Sequence, residues 1–236
     1  MKDWNVFIGY EPRETEAFAV ARMTARNHLF RPAKIQGIVL SEMRQKRLYS
    51  RPTEMRDGRL FDVISDHPMA TEFAISRFLT PHLAGSGLAL FMDCDMLVRA
   101  NLDNLFDMVD ESKAVTVVKH DFRPENTVKM DGQVQTHYAR KNWSSVMVFN
   151  VDHPSNRALT VEMINTVPGR DLHRFCWLKD DEIGEVGVEW NWLAGHSPAT
   201  VDPKIVHFTV GVPTMAGYEN APYADEWLAA LYRWAA

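Results

Sequence analysis

The sequence has little cysteine, since Cys94 and Cys176 are the only two in 236 residues. Cys94 lies inside an acidic motif, so a structural disulfide is not expected, and a reducing compartment fits this cysteine content best. Long apolar runs are also absent. No segment approaches the roughly 20 residues of a membrane span, and the apolar run within residues 1–10 is too short for a signal peptide. These absences predict a soluble cytoplasmic protein without a transmembrane segment.

The charge balance has no excess of one sign that would indicate a nucleic-acid-binding surface. Lys and Arg number 26 against 31 Asp and Glu, so the formal net charge is -5, and no long run of one sign occurs. Hydrophobic residues make up 46% and charged residues 24%, as in ordinary soluble globular proteins. Because internal repeats and low-complexity segments are also absent, the length favours a single domain over residues 1–236.

Strand-like segments alternate with segments of helical spacing along the chain. This alternation predicts an α/β fold with a mainly parallel central sheet. Residues 41–68 are expected to form a loop with short helices, and residues 121–142 a long loop of the kind that often serves function. The predicted strands are 4–10, 34–40, 87–93, 113–120, 144–150 and 204–210, and the predicted helices are 14–28, 70–83, 155–167, 172–178 and 224–236, the last with Trp227, Leu228, Leu231 and Trp234 as its apolar face.

An apolar segment runs directly into two carboxylates, Asp93 and Asp95, in the stretch "GLALFMDCD". Along an extended chain alternate residues share a face, so the two carboxylates are expected on one side and Cys94 on the other. A strand of a parallel sheet delivers such residues to its carboxyl edge, where open α/β sheets bind ligands. Two oxygen ligands on one side suit a divalent cation such as Mg²⁺ or Mn²⁺. The alternative is a pair of aspartates that simply closes a strand at the surface.

A phosphatase and a nucleotidyltransferase are two enzyme classes to consider for a D-x-D motif after a strand. Haloacid-dehalogenase-type phosphatases place D-x-D after their first strand and use the first carboxylate, here Asp93, as nucleophile. Leu97 stands where that class has Thr or Val, and about 90 residues precede the motif, but "LKDDE" (178–182) resembles the later Lys and Asp pair of that class. A nucleotidyltransferase would carry a Gly-rich basic signature near its N-terminus, which "FIGYEPRE" (7–14) is not.

The chain from Val6 to about Trp227 resembles the GT-A glycosyltransferases, specifically the retaining family-8-like enzymes. The order and spacing of four segments carry this resemblance. They are the helix, strand and D-x-D of "TEFAISRFLTPHLAGSGLALFMDCDMLVRANLDNLF" (71–106), the small-residue block and strand of "NWSSVMVFNV" (142–151), the acidic pair and Trp-Asn element of "LKDDEIGEV" with "EWNWL" (178–193), and the late histidine-bearing strand of "KIVHFTVG" (204–211).

The resemblance implies a metal centre and a nucleotide site. Asp93, Asp95 and His207 would hold Mn²⁺ or Mg²⁺, which argues against a binding module without activity. The donor would be a nucleotide-diphosphate sugar, most simply a UDP-sugar. The acceptor stays open among a saccharide, a lipid-linked glycan, a protein and a modified nucleic acid. In this family transfer proceeds with retention, by front-face attack guided by the leaving phosphate.

Further roles follow from position in the resemblance alone. The predicted donor-binding residues beyond the metal ligands are Gly9, Tyr10, Arg77, Cys94, Ser144, Ser145, Lys141 and Gly211. Asp180 and Asp181 stand where the family keeps a carboxylate beside the donor sugar, and they are the predicted catalytic residues. One departure is that "HFTVGVPTM" has no lysine after its glycine, so the diphosphate must be met by other cations, with Lys129, Arg140 and Lys141 as candidates.

Overall fold

The computed structural model describes residues 4–120, 140 and 142–235. Within them, a six-stranded central sheet has the order β10-β8-β9-β6-β1-β2, and two three-stranded sheets have the orders β11-β12-β7 and β3-β4-β5. The strands are β1 (Trp4–Gly9), β2 (Ala33–Ile38), β3 (Thr53–Arg56), β4 (Arg59–Asp62), β5 (His67–Pro68), β6 (Leu88–Met92), β7 (Met96–Val98), β8 (Val115–Val117), β9 (Val146–Asn150), β10 (Ile183–Glu185), β11 (Trp192–Leu193) and β12 (Ile205–His207).

Helices cover the central sheet and connect its strands. In the described part of the chain, none combines the length and the apolar character that crossing a bilayer requires. The helices are α1 (Thr15–Asn27), α2 (Leu40–Gln45), α3 (Thr80–Ala84), α4 (Leu102–Asp107), α5 (Val161–Thr166), α6 (Gly169–His173) and α7 (Ala224–Ala235), and shorter 3₁₀ segments lie at Pro12–Glu14, Ser76–Leu79, Trp143–Ser145, Pro154–Ala158, Asp180–Glu182 and Val188–Asn191.

The central sheet is mainly parallel, which confirms the predicted fold class. Strand β9 is antiparallel to both of its neighbours, β6 and β8, whereas β1, β2, β6, β8 and β10 share one direction. Every side chain of β6 is buried, as expected for a strand covered on both faces. The carboxyl ends of the parallel strands and the amino end of β9 therefore meet at one edge, the carboxyl edge of the sheet.

A small second sheet lies beyond this edge and has its own apolar cluster. Strand β7 leaves the acidic motif and pairs antiparallel with β12, which places His207 opposite Met96. Beneath it pack Phe208 and the fully buried Trp227 of α7. The prediction that Trp234 belongs to the apolar face of the last helix is wrong, because its side chain is 54% exposed and lies outside this cluster.

Residues 41–68 form more regular structure than the expected loop. After α2, strands β3, β4 and β5 make an antiparallel sheet whose first turn is Asp57-Gly58. Both turn residues have positive φ, 49° and 74°, which is the backbone twist that a two-residue hairpin needs. These strands are short and largely polar, so the sequence shows no clear alternation of apolar and polar residues there.

Two predicted helices are interrupted where proline or a cap starts a new turn. In residues 70–83 a 3₁₀ segment, Ser76–Leu79, precedes α3, and Pro81 lies in the first turn of α3, where its missing N–H costs nothing. In residues 155–167 the Thr160 hydroxyl caps α5 by accepting from the Met163 N–H. The helix expected at 172–178 ends instead at His173, and Phe175 has a φ of 54°.

The hairpin sheet is fastened to the domain by a buried ion pair between Arg51 and Asp62. The side chains of Arg51 and Asp62 are 0% and 1% exposed, and Arg51 Nε donates to Asp62 Oδ1 at 2.8 Å. Arg51 Nη2 donates to Asp62 Oδ2, and Nη1 donates to the carbonyls of Ile164 and Val167 at 2.9 Å and 2.6 Å. Arg51 thus links the hairpin sheet to α5 and to the segment that precedes α6.

Asp62→Ala should therefore lower the free energy of unfolding by about 3–5 kcal/mol, because it leaves a buried guanidinium without its counter-charge. Urea unfolding measures this change. Asp107→Ala is the matched control, since Asp107 is 51% exposed in its 2.6 Å pair with Arg31. Equal unfolding midpoints for the two variants would contradict the assignment of Arg51 and Asp62 as the anchor of this sheet.

Candidate metal centre

Three elements bring Asp93, Asp95 and His207 together at the carboxyl edge. Asp93 directly follows β6, Asp95 directly precedes β7, and His207 ends β12. Two backbone hydrogen bonds fix their spacing: the Asp93 N–H donates to the Ser145 carbonyl at 3.1 Å, and the Phe208 N–H donates to the Asp95 carbonyl at 2.9 Å. Residues more than 100 positions apart in sequence are thereby held by main-chain contacts.

The three side chains offer ligand atoms that lie within 4.8 Å of one another. His207 Nε2 is 3.3 Å from Asp95 Oδ1 and 3.9 Å from Asp93 Oδ2. Oxygen and nitrogen ligands about 2.1 Å from one small cation lie roughly 3–4 Å apart, so these separations fit a common ion. Asp95 Oδ1 is buried, and beyond His207 the described residues give it no hydrogen-bonding partner. The donor set fits a divalent cation such as Mg²⁺ or Mn²⁺.

Electrostatics at this cluster also favour a cation. Burial raises the pKa of Asp93 to about 6, and the charge of Asp95 adds to this rise while Arg77 opposes it. Burial acts to lower the pKa of His207, but the carboxylates of Asp95 and Asp93 outweigh it and raise that pKa. A proton on His207 balances the carboxylates only in part, and a divalent ion that displaces this proton supplies more positive charge at the same place.

Asn191 sets the orientation of His207, and the sequence reasoning did not single it out. Its side chain is fully buried, and its Nδ2 donates to Ser145 Oγ at 2.8 Å. The Asn191 Oδ1 is therefore the atom that faces His207 Nδ1 at 3.0 Å, and it must accept from that nitrogen. This tautomer leaves His207 Nε2 unprotonated and aimed at the two aspartates when the ring is neutral. The only sequence signal was the "EWNWL" segment (189–193).

Arg77 lies beneath the cluster and not at its open side. Only 6% of it is exposed, and its Nη1 is 2.8 Å from Asp93 Oδ1 and 2.8 Å from the Ser144 carbonyl. The guanidinium packs against the rings of Phe73 and Phe91 at 5.2 Å and 5.0 Å. Arg77 thus orients Asp93. Its guanidinium is buried and is therefore not exposed for the direct contact with a nucleotide diphosphate that the sequence predicted.

Ser144 and Ser145 are at the carboxyl edge, but their hydroxyls already have protein partners. Ser144 Oγ is 2.7 Å from His173 Nδ1, and Ser145 Oγ donates to the Asn142 carbonyl at 2.7 Å. Burial, with the charge of Arg77, lowers the pKa of His173 to about 3, so that ring is neutral. The two serines brace the wall of the site, and the expectation that they bind a donor sugar would require these hydrogen bonds to break.

The glycines of the predicted donor site are explained by packing against aromatic rings. A Cβ at Gly9 would lie 2.3 Å from the ring of Phe73, and a Cβ at Gly211 would lie 2.5 Å from the ring of Tyr218. Tyr10 follows β1 at the carboxyl edge and packs edge-on against Phe18, with ring centroids 5.1 Å apart. Tyr10 remains available at the edge, whereas the two glycines make room for side chains.

The acidic motif is not the extended chain that the sequence predicted, because Cys94 and Asp95 form a bend between β6 and β7. Cys94 lies in this bend. It is 1% exposed, and its Sγ lies 3.6 Å from Glu14 Oε2. Burial raises the pKa of Glu14 to about 7, with further contributions from the charges of Asp95 and Glu11. Glu14 was not among the predicted site residues, and a direct donor contact by Cys94 is not supported by its position. Lys141 and Lys129 lie outside the described residues.

The structure does not bring Asp180 and Asp181 to this cluster. They precede β10, which runs parallel to β6, so they lie at the edge of the sheet opposite to the one that carries Asp93. Lys113, at the start of the β8 segment, donates to the Asp181 carbonyl at 2.8 Å, and the exposed Asp180 carboxylate pairs with Arg140. Their catalytic role stays a prediction from the sequence, and their position argues against it.

This chain has a known sequence relative. No family model matches the chain. Protein CDI of Arabidopsis thaliana is 42% identical over 233 residues, which cover 96% of this chain and 85% of that protein.

Solved structures share the fold at low sequence identity. The apo bifunctional glycosyltransferase WbbM has a TM-score of 0.62 at 15% identity, over 98% of this chain and 50% of its own. The glycosyltransferase GlyE of Streptococcus pneumoniae TIGR4 has a TM-score of 0.61 at 14% identity, over 98% and 60%. The galactosyltransferase LgtC, solved with donor and acceptor sugar analogues, has a TM-score of 0.57 at 12% identity, over 97% and 95%. This chain therefore spans only half to three fifths of WbbM and GlyE, and the likeness shows a GT-A fold.

Asp95→Asn should weaken binding of Mn²⁺ alone more than about 100-fold, because it removes a ligand and its charge. Titration calorimetry with the full chain measures the affinity, and the exposed Asp225→Asn on α7 is the control. An Asp95→Asn variant that binds Mn²⁺ as tightly as the Asp225→Asn variant would remove the metal-centre assignment.

Asn191→Ala should weaken Mn²⁺ binding about 10–100-fold, as expected when the partner that orients a ligating histidine is lost. The same titration measures it, and thermal unfolding reports whether the buried vacancy has damaged the fold. If the variant folds and keeps full Mn²⁺ affinity, the hydrogen bond from His207 to Asn191 does not set the ligand orientation.

Proposed function

We propose that this chain, which belongs to the same family as Protein CDI of Arabidopsis thaliana, is a glycosyltransferase that moves a sugar from a nucleotide-diphosphate donor to a hydroxyl-bearing acceptor. The observation that carries the proposal is the Asp93, Asp95 and His207 cluster at the carboxyl edge of a GT-A sheet. Ligands of open α/β sheets bind at this edge. An acidic cluster there, with a histidine whose tautomer is preset, suits a cation that carries a diphosphate.

The donor we propose is a UDP-sugar, with Mn²⁺ or Mg²⁺ as the metal. Both ions accept a mixed set of carboxylate and imidazole ligands and keep open positions for phosphate oxygens. The LgtC structure contains donor and acceptor sugar analogues, which is a property of that protein and supports a nucleotide-sugar donor here by analogy of fold. Tyr10, at the end of β1, is the residue we propose for contact with the nucleoside.

The chemistry requires the leaving diphosphate to be stabilised. The bound cation would supply that stabilisation as a Lewis acid. The acceptor hydroxyl oxygen forms the new bond to the anomeric carbon while the bond from that carbon to the β-phosphate oxygen breaks, and the hydroxyl proton passes to the leaving phosphate. We propose that this occurs on one face of the sugar, with retention. Arg77, Asn191 and the Ser145 carbonyl hold the ligands in place, and the buried wall behind Asp93 excludes water from that side.

The acceptor and the cellular location remain parts of the proposal. A saccharide, a lipid-linked glycan, a protein and a modified nucleic acid all present a suitable hydroxyl. A cytoplasmic location rests on the sparse cysteine content, and both Cys94 and Cys176 are free thiols.

The phosphatase alternative is not favoured by the structure. That mechanism needs Asp93 as an accessible nucleophile, but one of its oxygens faces the Arg77 guanidinium at 2.8 Å and its side chain is only 14% exposed. The solved structures of WbbM, GlyE and LgtC, which share the fold, are glycosyltransferases.

The deciding experiment compares two substrates on the same preparation. With Mn²⁺, the chain should bind UDP and slowly hydrolyse at least one UDP-sugar to intact UDP, and Asp95→Asn should abolish both. Chromatography measures the released UDP, and hydrolysis of p-nitrophenyl phosphate by the same preparation is the control. Phosphate release from p-nitrophenyl phosphate without any turnover of UDP-sugars would overturn the proposal in favour of a phosphatase.

Asp180→Asn and Asp181→Asn test the residual sequence prediction. If either carboxylate stabilises positive charge at the anomeric carbon, its variant loses turnover while UDP affinity stays the same. The position at the opposite edge leads us to expect near-normal turnover in both. A strong loss of turnover in one variant, with unaltered melting temperature, would show that this edge of the sheet reaches the donor.

A further inference from the structure

A separate cleft opens at the carboxyl edge, between the ends of β8 and β10 and the turn after β11. Its volume is about 270 Å³, and none of the three candidate metal ligands lines it. This volume is near the lower end of small-molecule sites, roughly 300–1,000 Å³, and it suits a group about the size of one sugar ring. The polar residues that line it are Lys119, His120, Glu185, His196 and Ser197.

His120 has a buried ring nitrogen without a partner. Its Nε2 lacks any hydrogen bond among the described residues. A hydrogen bond with the Asn191 backbone acts to raise the pKa of His120. Burial, with the charge of His207, nevertheless lowers the pKa of His120 to about 4, so the ring is neutral at physiological pH. A neutral ring can present Nε2 as an acceptor, and a buried polar atom of this kind is costly unless a ligand satisfies it.

The position of His120 is fixed before any ligand arrives. Trp143 Nε1 donates to the His120 carbonyl at 3.0 Å, and Lys119 Nζ lies 5.7 Å from the centre of the Trp143 ring. Such preorganisation lowers the entropic cost of binding. The cleft is therefore a built feature of the edge and not a gap between loosely packed side chains.

Asn191 lies close to His207 of the candidate metal centre and to His120 of the cleft. Its side chain holds His207, and its backbone holds His120. The two imidazoles are close enough that the charge of His207 affects the pKa of His120. A molecule that contacts His120 in the cleft would consequently lie near the candidate metal centre.

The composition of the cleft selects among ligand classes. Lys119 and Glu185 carry opposite charges, so the pair adds no net charge and gives no cluster of cations for a phosphate. Apolar side chains, among them Val186, Leu193 and Pro198, line the same space. Apolar faces together with donors and acceptors match a saccharide, which presents C–H faces and hydroxyls at once.

We propose that this cleft is the acceptor subsite, that it binds a neutral saccharide, and that His120 Nε2 accepts a hydrogen bond from an acceptor hydroxyl. This inference rests on the proposed glycosyltransferase function. His120 is then a positioning residue for the acceptor. The bond changes at the anomeric carbon are those given above, and the hydroxyl proton still leaves with the diphosphate.

The test observes the His120 ring directly by nitrogen NMR on the full ¹⁵N-labelled chain with Mg²⁺ and UDP. Methyl α-D-glucopyranoside, methyl β-D-galactopyranoside and methyl β-D-xylopyranoside are the probes, each titrated at millimolar concentration, with inorganic phosphate in parallel. At least one glycoside should shift the His120 Nε2 resonance saturably, and phosphate should not. His120→Phe should weaken binding of that glycoside about tenfold, the loss of one hydrogen bond, and His120→Gln, whose amide oxygen can accept, should restore part of it.

His67→Phe is the matched control, because His67 is exposed on β5. This variant should bind the glycoside as tightly as the parent chain does. The UDP affinity of each variant reports an intact metal centre. If UDP binds but no glycoside shifts His120, or if phosphate alone shifts it, the acceptor subsite is wrong and the proposed function stands. If UDP does not bind with Mg²⁺ or Mn²⁺, the proposed function fails and this inference fails with it.

Discussion

The ion pair between Arg77 and Asp93 is the interaction on which the candidate metal centre depends. Two carboxylates one residue apart at the end of a buried strand repel each other and lose hydration. The Arg77 guanidinium offsets one of these charges from below, at 2.8 Å, and leaves the other carboxylate to face His207. Because Arg77 also holds the Ser144 carbonyl, the same side chain joins the strand that ends at Asp93 to the strand that begins at Val146.

Long-range main-chain pairing supplies what this charge arrangement needs. His207 reaches the aspartates only because β12 pairs with β7, and β7 follows Asp95 without an intervening loop. His207 therefore lies on a strand, and the two aspartates lie in the three-residue connection that the strands β6 and β7 hold at both ends. Asn191 and Ser145 extend this rigidity one layer outward through side-chain hydrogen bonds.

The sequence predicted the elements that depend on local pattern. Buried strands such as β6 are continuous apolar runs, and the acidic motif directly follows that run in the sequence. Roles that depend on tertiary partners were not predictable in the same way. Nothing local shows that Gly9 makes room for Phe73, or that Ser144 is engaged by His173, because those partners are remote in sequence. The sequence shows that Asp180 and Asp181 are acidic, but it does not show at which edge of the sheet they lie. That position follows only from the directions of the strands.

Under the proposed function, Asn191 would connect the metal centre to the acceptor cleft. Through its amide it governs the metal side, and through its backbone it supports the wall of the neighbouring cleft. Under the proposed function, a change of acceptor would involve the cleft residues His120, Glu185 and Ser197. A shift of the main chain at Asn191 would also move the hydrogen-bonding partner of His207, so it would change the metal side at the same time.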